Sequence, residues 1–239
     1  MTKLDAAFDS PQSKRRYVRS LFATIADRYD LITAVLSLGQ DAKWKQKLVT
    51  IAGVVSGERA LDLAAGTGDI AFAVAARGAR TIGLDITHRM LQLARRRQRN
   101  GTPAEFIAGD MISLPFRSAS FDLVTTGYGL RNVPDLAAAV TEIARVLRPG
   151  GRLVSLDFNK PENAIVRAIY LSYLTIVGST LGWILHRDPD TYRYIPASIR
   201  RYPGARGVAE VLAARGFDHV AVIPLLFGLM SIHIAERSQ

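Results

Sequence analysis

The chain contains no cysteine. That absence excludes disulfide scaffolds, Cys-ligated zinc, iron–sulfur clusters and thiol nucleophiles together, and it accords with a reducing compartment. Acidic residues are also few: 21 Asp and Glu stand against 31 Lys and Arg, a formal net charge of +10. Such an excess fits nucleic acid, an anionic membrane face or an anionic small molecule as partner. No apolar run follows closely behind the basic stretch Lys14-Arg15-Arg16-Tyr17-Val18-Arg19, so no export signal is read there. Internal repeats and low-complexity linkers are missing too. One stretch, Ala168 to Leu185, lacks charge altogether and reaches the length of a membrane span. Its Ser, Thr, Gly and Tyr content, and an Arg on both sides (Arg167 and Arg187), favour a buried or lipid-facing helix of a soluble domain.

What is present is a chain of 239 residues, 49% hydrophobic, the size of one elaborated domain. Residues 21–53 carry apolar positions at helical spacing. From residue 59 the pattern alternates. Strands are predicted at Ala60 to Ala64, Ala79 to Asp85, Ala104 to Ala108, Phe121 to Thr126 and Arg152 to Phe158, with helices at Ile70 to Arg77, His88 to Asn100 and Leu136 to Leu147 between them. After the break at 161–204 come a helix, Gly207 to Arg215, and strands at His219 to Ile223 and Met230 to Ala235. Such alternation predicts an α/β domain with a mostly parallel sheet. Its division reads as a helical front (1–55), a core (56–160), an insertion (161–204) and a closing helix and strand pair (205–239).

The most informative stretch is Leu61-Asp62-Leu63-Ala64-Ala65-Gly66-Thr67-Gly68-Asp69. Glycines at the end of a first strand allow a tight turn and close approach of a ligand to the backbone. Asp85, 17 residues after Gly68, closes the second strand, where a carboxylate can accept both hydroxyls of a ribose. A dinucleotide cofactor and S-adenosylmethionine both fit this much. Further carboxylates then enter. Asp62 precedes the glycines, placed to support the loop or to face a cationic ligand tail. Asp110 and Met111 follow the third strand, beside the same crevice.

With Phe121-Asp122-Leu123-Val124 and Leu147-Arg148-Pro149-Gly150-Gly151-Arg152-Leu153, these features resemble the motif series of class I S-adenosylmethionine-dependent methyltransferases. That likeness implies a Rossmann-like, seven-stranded, mostly parallel sheet. It also implies roles: Gly66, Thr67 and Gly68 toward the methionine end, Asp85 for the ribose, Asp110 and Met111 for the adenine, with Asp62 and Gly127 completing the cofactor site. No polar-Pro-Pro-aromatic box follows the fourth strand, which argues against methylation of exocyclic nitrogens.

In its place stands Tyr128-Gly129-Leu130-Arg131-Asn132-Val133, which resembles a signature of the UbiE/MenG family of quinone-biosynthesis C-methyltransferases. Tyr29-Asp30, Ser37-Leu38-Gly39 and Trp44 are similar to the family's N-terminal signature. The stretch from Arg145 to Leu153, followed by Asp157-Phe158-Asn159-Lys160-Pro161, is similar to its second. Tyr192-Arg193-Tyr194, Ser198-Ile199, Pro203 and Gly216-Phe217 look like its C-terminal part. Two departures stand out: Ile32-Thr33 replaces the usual Met-Asn, and Asp157 stands where Glu is common.

The resemblance implies methylation of a ring carbon of a prenylated quinol, with S-adenosylmethionine as the only cofactor and no metal. The substrate is expected to be demethylmenaquinol, or alternatively a ubiquinone precursor or another lipophilic small molecule. Ring carbon becomes nucleophilic when the phenol, of pKa near 10, loses its proton. Arg131 is the candidate for stabilising that quinolate, or else a salt-bridged loop residue. Asp157 is a candidate base, or else a cap. Tyr128 is placed to stack on the ring or to pack in the core. His233 reads as buried in a strand and His88 as exposed on a helix. Residues 165–185 with Leu31, Val35 and Leu36 are expected to cover the prenyl tail. Lys14, Arg15, Arg16, Arg19 and Arg95, Arg96, Arg97, Arg99 either dock on anionic lipid or form solvated faces. A cytoplasmic protein at the inner face of the membrane, with no nucleic-acid partner, is the expectation; a nucleic-acid binder and an NAD-dependent oxidoreductase are its rivals.

Overall fold

The computed structural model describes residues 3–98 and 104–239. Four helices come first: α1 (Lys3–Ala6), α2 (Pro11–Ile25), α3 (Tyr29–Leu36) and α4 (Asp41–Ile51). The alternating core follows as β1 (Arg59–Leu63), α5 (Asp69–Ala75), β2 (Arg80–Asp85), α6 (His88–Arg97), β3 (Ala104–Ala108), β4 (Phe121–Gly127), α7 (Leu136–Val146) and β5 (Leu147–Phe158). Helices α8 (Ala164–His186) and α9 (Asp190–Arg201) fill the insertion. The chain closes with α10 (Gly204–Ala213), β6 (Phe217–Leu225) and β7 (Met230–Arg237).

The seven strands form one sheet in the order β3-β2-β1-β4-β5-β7-β6, and β7 runs antiparallel to both its neighbours. Its parallel strands are near-continuous apolar runs because helices cover both faces. On β1, Leu61 and Leu63 enter one core cluster while Ala60 enters the other. Chain order reverses between β1 and β4, which opens a crevice beyond their C-terminal ends where such folds bind ligands.

Local chemistry accounts for the elements around that crevice. Helix α7 starts because the Asp135 carboxylate accepts the Ala138 N–H at 3.0 Å. Its buried face, Ala139, Val140, Ile143 and Val146, recurs at helical spacing. Helix α5 springs from Gly68 at φ +92°, where an added Cβ would lie 2.7 Å from Phe72 Cε2; both conformation and space demand glycine there. Strand β5 begins earlier than expected, at Leu147 instead of Arg152. Phe121 pairs with Leu147 and Leu123 with Arg152, so Arg148 to Gly151 bulge out between two registered stretches.

The uncharged stretch forms the greater part of α8, a helix of 23 residues that is long and apolar enough to cross a membrane. One side of it belongs to the fold: Leu171 and Leu174 pack on Ile199 of α9, and Leu181 and Leu185 join Tyr192 and Ile32. At Gly178 and Gly182 the chain of α9 and its lead-in come so close that an added Cβ would lie 3.2 Å from Tyr192 Cβ and 2.5 Å from the Asp188 carbonyl oxygen.

Candidate active site

Two clefts meet at the C-terminal ends of β1, β2, β4 and β5. The smaller spans about 710 Å³, part of it open to solvent, and is bordered by Gly66, Asp85, Asp110, Met111 and Gly127, five of the eight residues expected to bind the cofactor. The larger, about 1640 Å³, is walled by α2, α3, α8, α9 and residues 226–230, with an overwhelmingly apolar lining. Phe22, Tyr29 and Tyr128 border both. These three aromatic side chains form the partition between the clefts.

In the smaller cleft Asp85 accepts the Gly66 N–H at 2.9 Å on one carboxylate oxygen and the Thr87 N–H at 2.7 Å on the other. Burial pushes its carboxyl up from the usual range, and these backbone donors pull against that rise. Each oxygen keeps a lone pair for further donors. At the opposite end Asp110 accepts the Ile112 N–H at 3.1 Å and lies 2.6 Å from Arg15 Nε of α2. Met90 and Met111 give the space between them apolar walls.

The other three expected cofactor residues shape the loop from behind and border neither cleft. Asp62 is buried under the turn and accepts the Thr125 hydroxyl at 2.8 Å; burial raises its carboxyl to about 7. Its contacts, the Thr125 hydroxyl and the Ala71 backbone N–H, tie β1 to β4 and to α5. Thr67 donates to Asp30 of α3 at 3.0 Å, and Gly68 packs beneath Phe72 and Phe106.

Arg131 reaches the larger cleft from the short helical turn 130–132, and its side chain is only 4% exposed. Asp157 at the end of β5 fixes it from below: one carboxylate oxygen accepts the Arg131 backbone N–H at 3.0 Å, the other meets Nε at 3.3 Å. That second oxygen also accepts the Phe158 N–H at 2.8 Å. Burial pushes Asp157 up and the guanidinium pulls it down. Three N–H donors thus occupy the carboxylate, which does not border the larger cleft. Ser198 of α9 accepts from the far end of the guanidinium, and the Phe158 ring lies 5.0 Å from its centre.

Tyr128, at φ +62°, sits on the partition. Its hydroxyl donates to Asp41 at 2.7 Å. Asp41 pairs with Lys45 at 2.6 Å, Lys45 with Asp69 at 2.8 Å, and Asp69 with Arg97 at 2.8 Å. This chain runs from the partition to the first turn of α5. Its middle members, Asp41 and Lys45, escaped the sequence reading, and Lys14, read there as part of a lipid-docking or solvated face, has a different place. Lys14 donates to the carbonyls of Arg131 at 3.1 Å and Val133 at 2.6 Å, and burial brings its ammonium down to about 8. Ile32 and Thr33 both border the larger cleft, and the Thr33 hydroxyl is turned back to the Tyr29 carbonyl at 3.0 Å.

Several members of the basic runs, expected either to dock on anionic lipid or to form solvated faces, make contacts within the fold. Lys14 holds the Arg131 loop, Arg15 meets Asp110, Arg95 donates to the Phe106 carbonyl and Arg97 to Asp30, Asp69 and Thr67. Lys14 is partly buried, whereas Arg15, Arg95 and Arg97 make these contacts while staying exposed. Arg16, Arg19 and Arg96 are exposed as well, and Arg99 lies outside the described residues. His233 is buried and tied to the Ala205 carbonyl at 2.9 Å, while His88 is exposed.

Comparison with known proteins bears on this geometry. Residues 10–237 match the model of the ubiE/COQ5 methyltransferase family. The chain is 38% identical over 220 residues to a demethylmenaquinone methyltransferase of Thermus thermophilus, covering 91% of this chain and all of that protein. It is 36% identical over 236 residues to a ubiquinone/menaquinone biosynthesis C-methyltransferase of Pseudomonas putida, covering 94% and 91% of the two chains. Among solved structures, a SAM-dependent methyltransferase of Thermotoga maritima shares the fold at a TM-score of 0.66 and 16% identity, over 92% of this chain and 99% of its own. Sheet order, paired clefts and a match along nearly the whole sequence agree: this chain belongs to the ubiE/COQ5 methyltransferase family.

Proposed function

We propose that the protein transfers a methyl group from S-adenosylmethionine to a ring carbon of a prenylated quinol, converting a demethylmenaquinol into a menaquinol. The observation that carries this reading is the pair of clefts sharing one aromatic partition, the smaller bordered by two carboxylates and the larger apolar with one buried guanidinium. S-adenosylmethionine fits the smaller by the chemistry of its donors. Asp85 offers acceptors for ribose hydroxyls and Asp110 a carboxylate toward the adenine, with Met90 and Met111 as apolar walls. The dinucleotide reading fits worse. A pyrophosphate would need the N-terminus of α5, and Thr67, Gly68 and Asp69 at that end border neither cleft.

S-adenosylmethionine supplies an electrophilic methyl group, and the chain's own residues do the rest. Larger-cleft walls exclude water and bury the tail, each methylene contributing about 0.8 kcal/mol. Arg131, permanently charged, stabilises the quinolate and so lowers the cost of losing the phenolic proton. Asp157 holds the guanidinium in place, a positioning role in preference to that of a base. Tyr128 lies against the ring at the partition. The protein works on the cytoplasmic side of an anionic membrane that carries its substrate.

The test is methyl transfer from labelled S-adenosylmethionine to a panel of short-tail naphthoquinols and benzoquinols, read by mass spectrometry. Methylation of the naphthoquinol at ring carbon is expected. Labelling of benzoquinols alone would move the substrate to the ubiquinone pathway, and labelling of no quinol would reject the reading.

A further inference from the structure

Helix α8 leaves an apolar stripe bare. Ile165, Ile169, Ile176 and Trp183 are 71%, 67%, 67% and 56% exposed. Their spacings of four, seven and seven residues keep them within about 40° of one another on a helix of 3.6 residues per turn. The opposite side of the same helix already packs on α9 and α3. A second exposed feature rises from the turn between β6 and β7. There Leu226 and Phe227 hold positive φ of 46° and 54°, and the Phe227 ring is fully exposed. A β-turn that keeps an aromatic ring in water on left-handed backbone is unfavourable twice over.

These features converge at one place. Ile169, Leu226 and Phe227, together with the 71% exposed Leu38 beyond α3, also border the larger cleft. The rim of the cleft and the bare apolar surface are therefore one continuous surface, drawn from three separate parts of the chain. We propose that this surface inserts into an anionic lipid bilayer, with the stripe of α8 lying along the interface and Phe227 as a wedge, so that the cleft opens directly into the acyl layer. The proposal rests on the reading of the larger cleft as the tail site. An apolar tail enters such a mouth without crossing water, whereas a protein partner seated on the same rim would close it. Trp183 stacked under Arg187 at 4.9 Å gives the stripe an aromatic and cationic end of the kind that settles at headgroup level. The net charge of +10 draws the molecule toward anionic lipid over longer range.

The test is flotation of the full chain with vesicles of phosphatidylcholine and phosphatidylglycerol, beside a double variant Ile176→Ser/Trp183→Ser and a single variant Phe227→Ser. Neither Ile176 nor Trp183 borders a cleft, so the double variant is expected to methylate a short-tail quinol dissolved in buffer as wild type does. It is expected to float about tenfold less, the loss of some 1.4 kcal/mol of interfacial binding. Phe227→Ser is expected to float less as well, and wild type is expected to bind phosphatidylcholine alone more weakly. Wild type that stays at the bottom of the gradient overturns the proposal, as do variants that float like wild type or equal flotation on neutral and anionic vesicles. A dimer that the double variant dissociates in light scattering overturns it too. If no quinol is methylated while the flotation difference holds, the functional reading fails and the docking surface stands.

Discussion

The Tyr128 hydroxyl donates to Asp41 at 2.7 Å, joining a residue on the partition between the clefts to the first turn of α4. Both groups are buried, and Lys45 continues the link to Asp69 beside the glycine loop. A change on the cofactor side therefore has a polar route to the aromatic partition.

Replacing Asp41 tests that link. Asp41→Ala strands the Tyr128 hydroxyl in a buried site and removes one partner from Lys45. It is expected to lower unfolding free energy by about 1–3 kcal/mol, read by urea titration. Asp41→Asn keeps an acceptor for the hydroxyl and is expected to recover most of that loss. If Tyr128 positions the quinol, both variants raise KM for the quinol more than KM for S-adenosylmethionine.

Arg131 gives the sharpest catalytic prediction. Arg131→Lys keeps a charge but loses the planar fork that spans Asp157 and Ser198. Its kcat is expected to fall by about 10²–10³, while affinity for S-adenosylmethionine, read by calorimetry, stays within about twofold. Turnover at the wild-type rate would remove Arg131 from the chemistry.

Asp85→Ala deletes the carboxylate between Gly66 and Thr87. At least about tenfold weaker binding of S-adenosylmethionine is expected, since a buried charged acceptor contributes about 1.5–3 kcal/mol. Calorimetry measures it directly, and affinity for the short-tail quinol should be little changed.

Asp62 predicts a pH dependence. Its folded pKa of about 7 lies above the unfolded value of about 3.9. Between those limits the folded state holds the proton more tightly. Stability owed to this group is fully present below pH 4, falls as pH rises toward 7 and is level above. Comparing wild type with Asp62→Asn by chemical unfolding across that window should isolate the slope, worth about 1–4 kcal/mol in total. Parallel curves for the two proteins would contradict it.

Legibility followed locality. The run from Leu61 to Asp69 and the carboxylate at Asp85 were readable because strand, turn and helix are each written within a few residues. Arg131 and Asp157 were both picked out, but their mutual contact was not, since it depends on β4 and β5 lying side by side. Lys14 illustrates the opposite failure. In a run with Arg15, Arg16 and Arg19 it has the pattern of a solvated face, and its acceptors are main-chain carbonyls more than a hundred residues away. Asp41 and Lys45 look like an ordinary i,i+4 surface pair, and nothing nearby announces the phenol that arrives from β4. The early start of β5 was hidden by Pro149-Gly150-Gly151, which reads as a turn and instead forms a bulge inside one strand.

The walls of the larger cleft have a consequence for how the protein becomes active. Leu21 and Leu38 stand on one side, Leu226 and Met230 on another, and these come from opposite ends of the chain. The glycine loop, Asp85 and Asp110 all lie within the first half of the sequence and can be arranged by neighbouring strands. The chamber for the tail has no such head start. It is enclosed only when the last hairpin has paired and the first helices have settled against it, so loosening either end of the chain opens the larger cleft, while of the two ends only the first helices are shared with the smaller one.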